Sequence, residues 1–182
     1  MNENNILTLD LDYIQNNQQE IKLLDIFLKK IKTCEKIIFI KAHHQILEHI
    51  HKLKKINLFN VDHHHDIFYS RDVAPEDQYR EGNWILYLLK HNLLESYTWI
   101  CNFDSDLASD SLHPVRNLKS FHHTPNLDLI NNFEYKYIIV CESMEYSKRC
   151  AFVYETYRVI SNNLFYEKVI ENTSKNFTSH IK

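Results

Sequence analysis

"INLFNVDHHHD", residues 56–66, decides the fold. Ile56 to Val61 is a short, largely apolar run of strand length, closed by Asp62, three histidines and Asp66. A continuous run of this kind, without strict alternation, marks a strand covered on both faces. Four other segments read the same way: ILTLDLDYI (6–14), KIIFIKA (36–42), SYTWICN (96–102) and YKYIIVCE (135–142). Helical patterns lie between and after them. NNQQEIKLLDIFLKKIKT (16–33) brings Ile21, Leu24, Ile26, Phe27, Leu28 and Ile31 close to helical spacing. HQILEHIHKLKK (44–55), NWILYLLKHNLL (83–94) and RCAFVYETYRVISNNLF (149–165) supply three more helices. Strands alternating with helices of this length predict βαβ units and an α/β fold with a mostly parallel sheet. Right-handed crossovers then bring the C-terminal ends of the strands to one edge.

The 182 residues suit one domain, expected over 1–170 with a polar tail at 171–182. The loop 67–81 is polar, and 102–134 reads as irregular, with Pro114 and Pro125. Hydrophobic content of 44% and a net charge of −3 fit a globular protein and give no sign of a nucleic-acid or membrane partner. No apolar run reaches transmembrane length. Four cysteines without a C-x-x-C pair, after a polar N-terminus, suggest reduced thiols in a cytoplasmic protein. The single glycine argues against a Gly-rich phosphate loop and leaves positive-φ turns to Asn and Asp.

Three strand ends carry chemistry. If the strand continues past Asp62, side chains 62, 64 and 66 share a face, so Asp62, His64 and Asp66 offer carboxylate, imidazole, carboxylate. His63 and His65 then point the other way. The competing reading is a solvated His-rich turn. In LTLDLDYI, Asp10 and Asp12 also share a face by period 2, and two acids in an apolar run are costly unless paired or bound to a cation. The competing reading ends the strand at Leu9 and uses the acids as helix caps. His43 and His44 follow KIIFIKA at a third strand end. Four carboxylates and at least two imidazoles suit two divalent ions with shared carboxylates. Mn²⁺ fits such a donor set, with Zn²⁺ or Fe²⁺ as alternatives. Metal-assisted hydrolysis is the expected chemistry. Asp104, Asp106 and Asp110 compete as an acidic group in a Ser- and Asn-rich loop, and His65-Asp66 matches the bare HD pair of metal phosphohydrolases.

The D-x-H-x-D run at 62–66, the D-x-D at 10–12 and His43 together resemble the metal signature of the ureohydrolases, the arginase and agmatinase family. The likeness is closer to a divergent branch that includes the peptide arginases of ribosomal-peptide biosynthesis. Gly82-Asn83-Trp84-Ile85, Tyr97-Thr98-Trp99-Ile100 and Ser143-Met144-Glu145-Tyr146 extend it over most of 6–150. The resemblance implies an arginase-like three-layer αβα sandwich, with the D-x-D strand permuted to the N-terminus. It implies one ion held by Asp10, His43, Asp62 and Asp66 and another by Asp10, Asp12, Asp62 and His64, with Asp10 and Asp62 bridging. Ala42 stands where the branch has an acid, and His44 stays open as an alternative to His43. The implied substrate is an Arg-containing precursor peptide, converted to peptidyl ornithine with release of urea. Asn83, Glu142 and Glu145 are the candidate substrate-binding residues, and His63 and His65 the candidate proton carriers. Two alternatives stand beside this: a metal hydrolase of another substrate, and a non-catalytic metal- or peptide-binding module.

Overall fold

A computed structural model describes residues 4–67, 79–80, 82–105, 118, 120–143 and 150–164. Its strands are β1 (Asn4–Asp10), β2 (Lys36–Ile40), β3 (Ile56–Val61), β4 (Leu94–Ile100), β5 (Phe121–Thr124) and β6 (Tyr137–Cys141). The helices are α1 (Asn17–Lys30), α2 (Leu47–Ile50), α3 (Trp84–Lys90) and α4 (150–164). The six strands form one sheet in the order β2-β6-β1-β3-β4-β5, and every neighbouring pair is parallel.

Alternation along the strands fills two cores. Leu7, Leu9, Phe59, Val61, Ile138 and Val140 pack with Leu23, Ile26 and Phe27 of α1 and with Val153, Tyr154 and Tyr157 of α4. Ile6, Leu58, Ile139 and Cys141 face the other way, onto Ile50 of α2 and Trp84, Ile85 and Leu88 of α3. The sheet therefore lies between two helical layers, as the paired apolar faces of its central strands require.

The direction of each connection decides which layer it joins. In the strand order above, the chain moves left from β1 to β2 and from β5 to β6, and right from β2 to β3 and from β3 to β4. The left-going α1 and the 3₁₀ turn Leu127–Asn132 belong to the first core. The right-going α2 and α3 belong to the second. A single crossover hand produces this split. The first connection leaves β1 on one side while β3 pairs on its other side, the switch point at whose strand ends open parallel sheets place their ligand sites.

Local chemistry sets the element ends. Asn16 caps α1 in a reciprocal box with Gln19: the Asn16 side chain accepts from the Gln19 N–H at 3.0 Å, and Gln19 accepts from the Asn16 N–H at 3.2 Å. Lys29 and Lys30 occupy its last turn, where the helix dipole favours cations. Asn92 (φ 52°) and Asp66 (φ 53°) take left-handed turns, as expected for a chain with one glycine, but Lys55 (φ 54°) and Ser143 (φ 48°) do so as well.

Several expected spans differ. β1 stops at Asp10, and Leu11–Tyr13 is a 3₁₀ turn rather than more strand. β2, β3, β4 and β6 end at Ile40, Val61, Ile100 and Cys141, each one or two residues early, because the polar residues that follow turn toward one another. The helix expected over 44–55 is a 3₁₀ turn, His43–Ile46, followed by a single α turn. Leu94, read as helix, begins β4. The segment read as irregular contains β5, whose FHHT sequence has little apolar signal and sits at the sheet edge. The tail 171–182 lies outside the described residues. None of the described helices is long and apolar enough to cross a membrane.

Leu9 is fully buried in the centre of the first core. Leu9→Ala is expected to cost about 2–5 kcal/mol, since the packed helices close the cavity only in part. Urea unfolding with an unchanged slope checks this.

Candidate metal centre

The two adjacent strands β1 and β3 set the frame. Their register pairs Thr8 with Asn60 and Leu9 with Val61, so Asp10 and Asp62 leave the sheet side by side. His43 opens the turn after β2 and reaches the same point. Its Nδ1 lies 3.1 Å from Asp10 Oδ2, 3.1 Å from Asp62 Oδ2 and 2.8 Å from Asp66 Oδ2. All four residues are buried. His64 Nδ1 lies 2.9 Å from Asp12 Oδ2 and 3.9 Å from Asp62 Oδ1.

The donors fall into two groups, Asp10–His43–Asp62 and Asp12–Asp62–His64, each with its ligand atoms within 4.8 Å of one another. Asp62 belongs to both, with Oδ2 facing His43 and Oδ1 facing His64. Asp10, expected to bridge as well, is in the first group alone, and Asp66, expected among the first ion's ligands, is in neither. This buried Asp/His cluster could bind a metal ion.

The mechanism that assembles it is not strand alternation. Asp10 caps the 3₁₀ turn, accepting from the Asp12 N–H at 3.2 Å, and that turn swings Asp12 toward His64. Asp62 accepts from the His64 N–H at 2.8 Å, while the His63 N–H donates to Asp12 at 3.3 Å. The left-handed backbone at Asp66 returns its carboxylate to the cluster, where the Trp84 indole N–H holds Oδ2 at 2.6 Å. The capping role that competed with metal binding for Asp10 is thus part of how the cluster forms.

Two imidazoles face four carboxylates, which leaves the cluster short of positive charge. Burial works to raise Asp10, but His43 and the Ser143 hydroxyl outweigh it and hold the acid below its ordinary range. Burial and the charges of Asp66 and Asp10 push Asp62 well up, and burial above all raises Asp66. Burial and the charges of Asp10 and Asp62 lift Asp12 to about 7. Burial works to lower His43, yet its three carboxylates keep it well above the ordinary imidazole value. The hydrogen bond with Asp12 lifts His64 to about 9. Even so, His43 Nδ1 makes no hydrogen bond of ordinary geometry with any of the three oxygens around it. The carboxylates favour a positive charge at Nδ1, but the geometry gives a proton there no well-aligned acceptor. A cation bound by Asp10, His43 and Asp62 would fit the donor chemistry, and two divalent ions would balance the four carboxylates.

The other expected residues lie elsewhere. His44 is half-buried beside the cluster and outside both donor groups. His63 is partly exposed on a polar rim, with the Gln15 and Asn102 amide nitrogens 3.4 and 3.5 Å from its Nδ1. Asp104 lies on the same rim, bonded to Gln15 at 3.1 Å, and not in the cluster. His65 is fully buried against Trp99, and its Nδ1 accepts from the Ile67 N–H at 3.1 Å. It packs the loop, which removes the HD-pair reading. Asn83 accepts from the Arg80 N–H at 2.7 Å at the head of α3. Glu142 is buried and pairs with Lys41, whose ammonium sits 4.7 Å from the centre of the Tyr154 ring. Asp106, Asp110 and Glu145 lie outside the described residues.

No family model, curated protein or solved structure matches this chain.

Sequence reading overlooked Thr8, Asn60, Tyr97, Gln15 and Asn102. A signal for two of them was present. Thr8 and Asn60 each stand two residues before a cluster aspartate, as T-x-D and N-x-D, on the same strand face.

Metal and pH are coupled here. Asp12 and His64 are both raised in the fold, to about 7 and about 9. The folded chain thus holds protons that the unfolded chain releases. This stabilisation is complete below the ordinary values and is lost as pH rises through the folded ones. The melting temperature of metal-free protein is expected to fall between about pH 4 and pH 9 for this reason. Divalent ions need the deprotonated donors, so Mn²⁺ should raise the melting temperature more at alkaline than at acidic pH. Equal shifts at both ends would contradict the assignment of these donors.

Proposed function

We propose that this chain is a dinuclear metal hydrolase acting on the guanidino group of peptidyl arginine. The observation that carries the reading is Asp62, shared between two donor groups that each contain a further carboxylate and an imidazole. A shared carboxylate between two oxygen-rich sites suits a pair of Mn²⁺ ions. The ions would supply Lewis acidity and activated water, the chemistry that hydrolysis of a delocalised guanidinium requires. The overall reaction consumes water, breaks the bond between carbon and the side-chain nitrogen, and leaves ornithine in the peptide with urea released. Charge balances, because the guanidinium is replaced by an ammonium.

The chain's own residues have separable parts in this. Asp10, His43 and Asp62 would hold one ion, with Asp66 beside them, and Asp12, Asp62 and His64 would hold the other. Trp84 and the backbone N–H of His64 fix carboxylate rotamers. His63, on the rim with Gln15, Asn102 and Asp104, lies next in sequence to two of the ligands and has solvent access. It is the better placed of the two candidate proton carriers, since His65 is enclosed. Phe103 beside this rim is 95% exposed, and the Asp104 carboxylate there is largely exposed too. An exposed aromatic and an acid beside the site suit a cationic peptide better than a free amino acid. The two layers of helices on a parallel sheet, with donors at the strand ends, are consistent with an arginase-like sandwich whose D-x-D strand is permuted to the N-terminus.

Co-expression with an Arg-containing precursor peptide tests the reading. Mass spectrometry should show loss of CH₂N₂ per modified arginine, with urea formed in step. Unmodified peptide in the presence of Mn²⁺-loaded protein would sink the substrate assignment and favour a metal hydrolase of another substrate. Asp62→Ala should abolish turnover and reduce bound metal, because both donor groups lose a member. Full metal content in that variant would refute the shared-ligand arrangement.

A further inference from the structure

Three polar side chains lie inside the sheet and beneath the cluster, and none of them is a metal ligand. Thr8 and Asn60 are fully buried on β1 and β3, and Tyr97 is fully buried on β4. They form one chain of hydrogen bonds with His43. Tyr97 Oη is 2.7 Å from the backbone carbonyl of His65, Asn60 Nδ2 is 3.3 Å from Tyr97 Oη and 3.2 Å from Asp62 Oδ2, Thr8 bonds Asn60 Oδ1, and His43 Nε2 is 3.2 Å from Thr8 Oγ1.

The direction of every bond follows from one end. The His65 carbonyl can only accept, so the Tyr97 hydroxyl donates to it. Tyr97 Oη must then accept from Asn60, which turns the amide nitrogen toward Tyr97 and Asp62. The amide oxygen faces Thr8 and can only accept, so the Thr8 hydroxyl donates. Thr8 Oγ1 is left as an acceptor, and its remaining neighbour in the chain is His43 Nε2, which must carry a hydrogen. In the neutral ring the lone pair is then on Nδ1. That atom faces Asp10, Asp62 and Asp66. A lone pair aimed at three carboxylate oxygens in a buried site needs a positive charge between them, which a proton supplies in the metal-free protein and a divalent cation would supply in its place.

We infer that Thr8 and Asn60, anchored by Tyr97, are positioning residues that fix the tautomer of His43 and present its Nδ1 to a divalent cation. The inference rests on the metal-centre reading of the cluster. Asn60 acts twice, because the same amide that orients Thr8 also holds Oδ2 of Asp62, the carboxylate shared by both donor groups. Groups that orient a metal-bound imidazole generally govern affinity without touching the ion.

Thr8→Val keeps the shape of the side chain and removes the acceptor. Titration calorimetry with Mn²⁺ should show about a 10–100-fold loss of affinity, the usual effect of removing such a partner. Thr8→Ser should stay close to the parent chain. The unfolding temperature of each metal-free variant separates lost packing from lost orientation. A second measurement needs no variant. In the Zn²⁺-loaded parent chain, long-range ¹H–¹⁵N correlations of His43 should show a protonated Nε2 and a metal-bound Nδ1. Unchanged Mn²⁺ affinity in folded Thr8→Val, or metal at Nε2, would overturn the inference while leaving the metal centre standing. A parent chain with no affinity for Mn²⁺ or Zn²⁺ would overturn both.

Discussion

Four carboxylates cannot share a buried edge of a sheet without positive charge between them. Asp10, Asp12, Asp62 and Asp66 converge there, and the rest of the architecture makes that convergence possible. Removing such groups from water is expensive, and the attraction of two imidazoles recovers only part of the cost. The divided response of the donors reflects this. Asp10 stays ionised against His43, while Asp12, Asp62 and Asp66 are driven toward their protonated forms. Such a site is electrostatically unfinished, and its stability and its affinity for cations are two readings of the same deficit.

The fold meets this requirement by topology. Because β1 pairs with β3 on one side and β6 on the other, the ends of three strands lie together, and β2 delivers His43 from beyond β6. Connections of one hand place α2 and α3 on the face that Thr8 and Asn60 share with Ile6 and Leu58. Tyr97 of β4 and Trp84 of α3 belong to the same core, so aromatic side chains enclose the cluster from that side. The Trp84 ring centre lies 4.9 Å from that of His43, and its indole N–H donates to Asp66. Packing and polar satisfaction thus come from the same side chain.

Much of this was legible in the chain. The apolar runs located five of the six strands, and the acids and histidines at their ends marked the cluster. What could not be read was how those ends turn. Period-2 alternation put Asp62, His64 and Asp66 on one face, but β3 stops at Val61 and the backbone of Asp66 is left-handed, a choice that depends on the Trp84 contact from a distant helix. His63 and His65 looked equivalent, yet one lies on a solvated rim and the other packs under Trp99. β5 was invisible because an edge strand needs little apolar sequence.

The most informative residues were those that break the apolar pattern inside strands. Thr8 and Asn60 occupy positions where Val or Ile would bury more apolar area, and they are paired directly across β1 and β3. A buried polar pair on adjacent strands costs stability unless every donor and acceptor is satisfied. Here the chain of bonds from Tyr97 to His43 accounts for each of them, and it ends at an imidazole whose other nitrogen has no hydrogen-bond partner in good geometry. Bonds that run in one direction to an unfilled atom are hard to explain as packing. They are expected where the last atom is reserved for a ligand, and the carboxylates around His43 Nδ1 restrict that ligand to a cation.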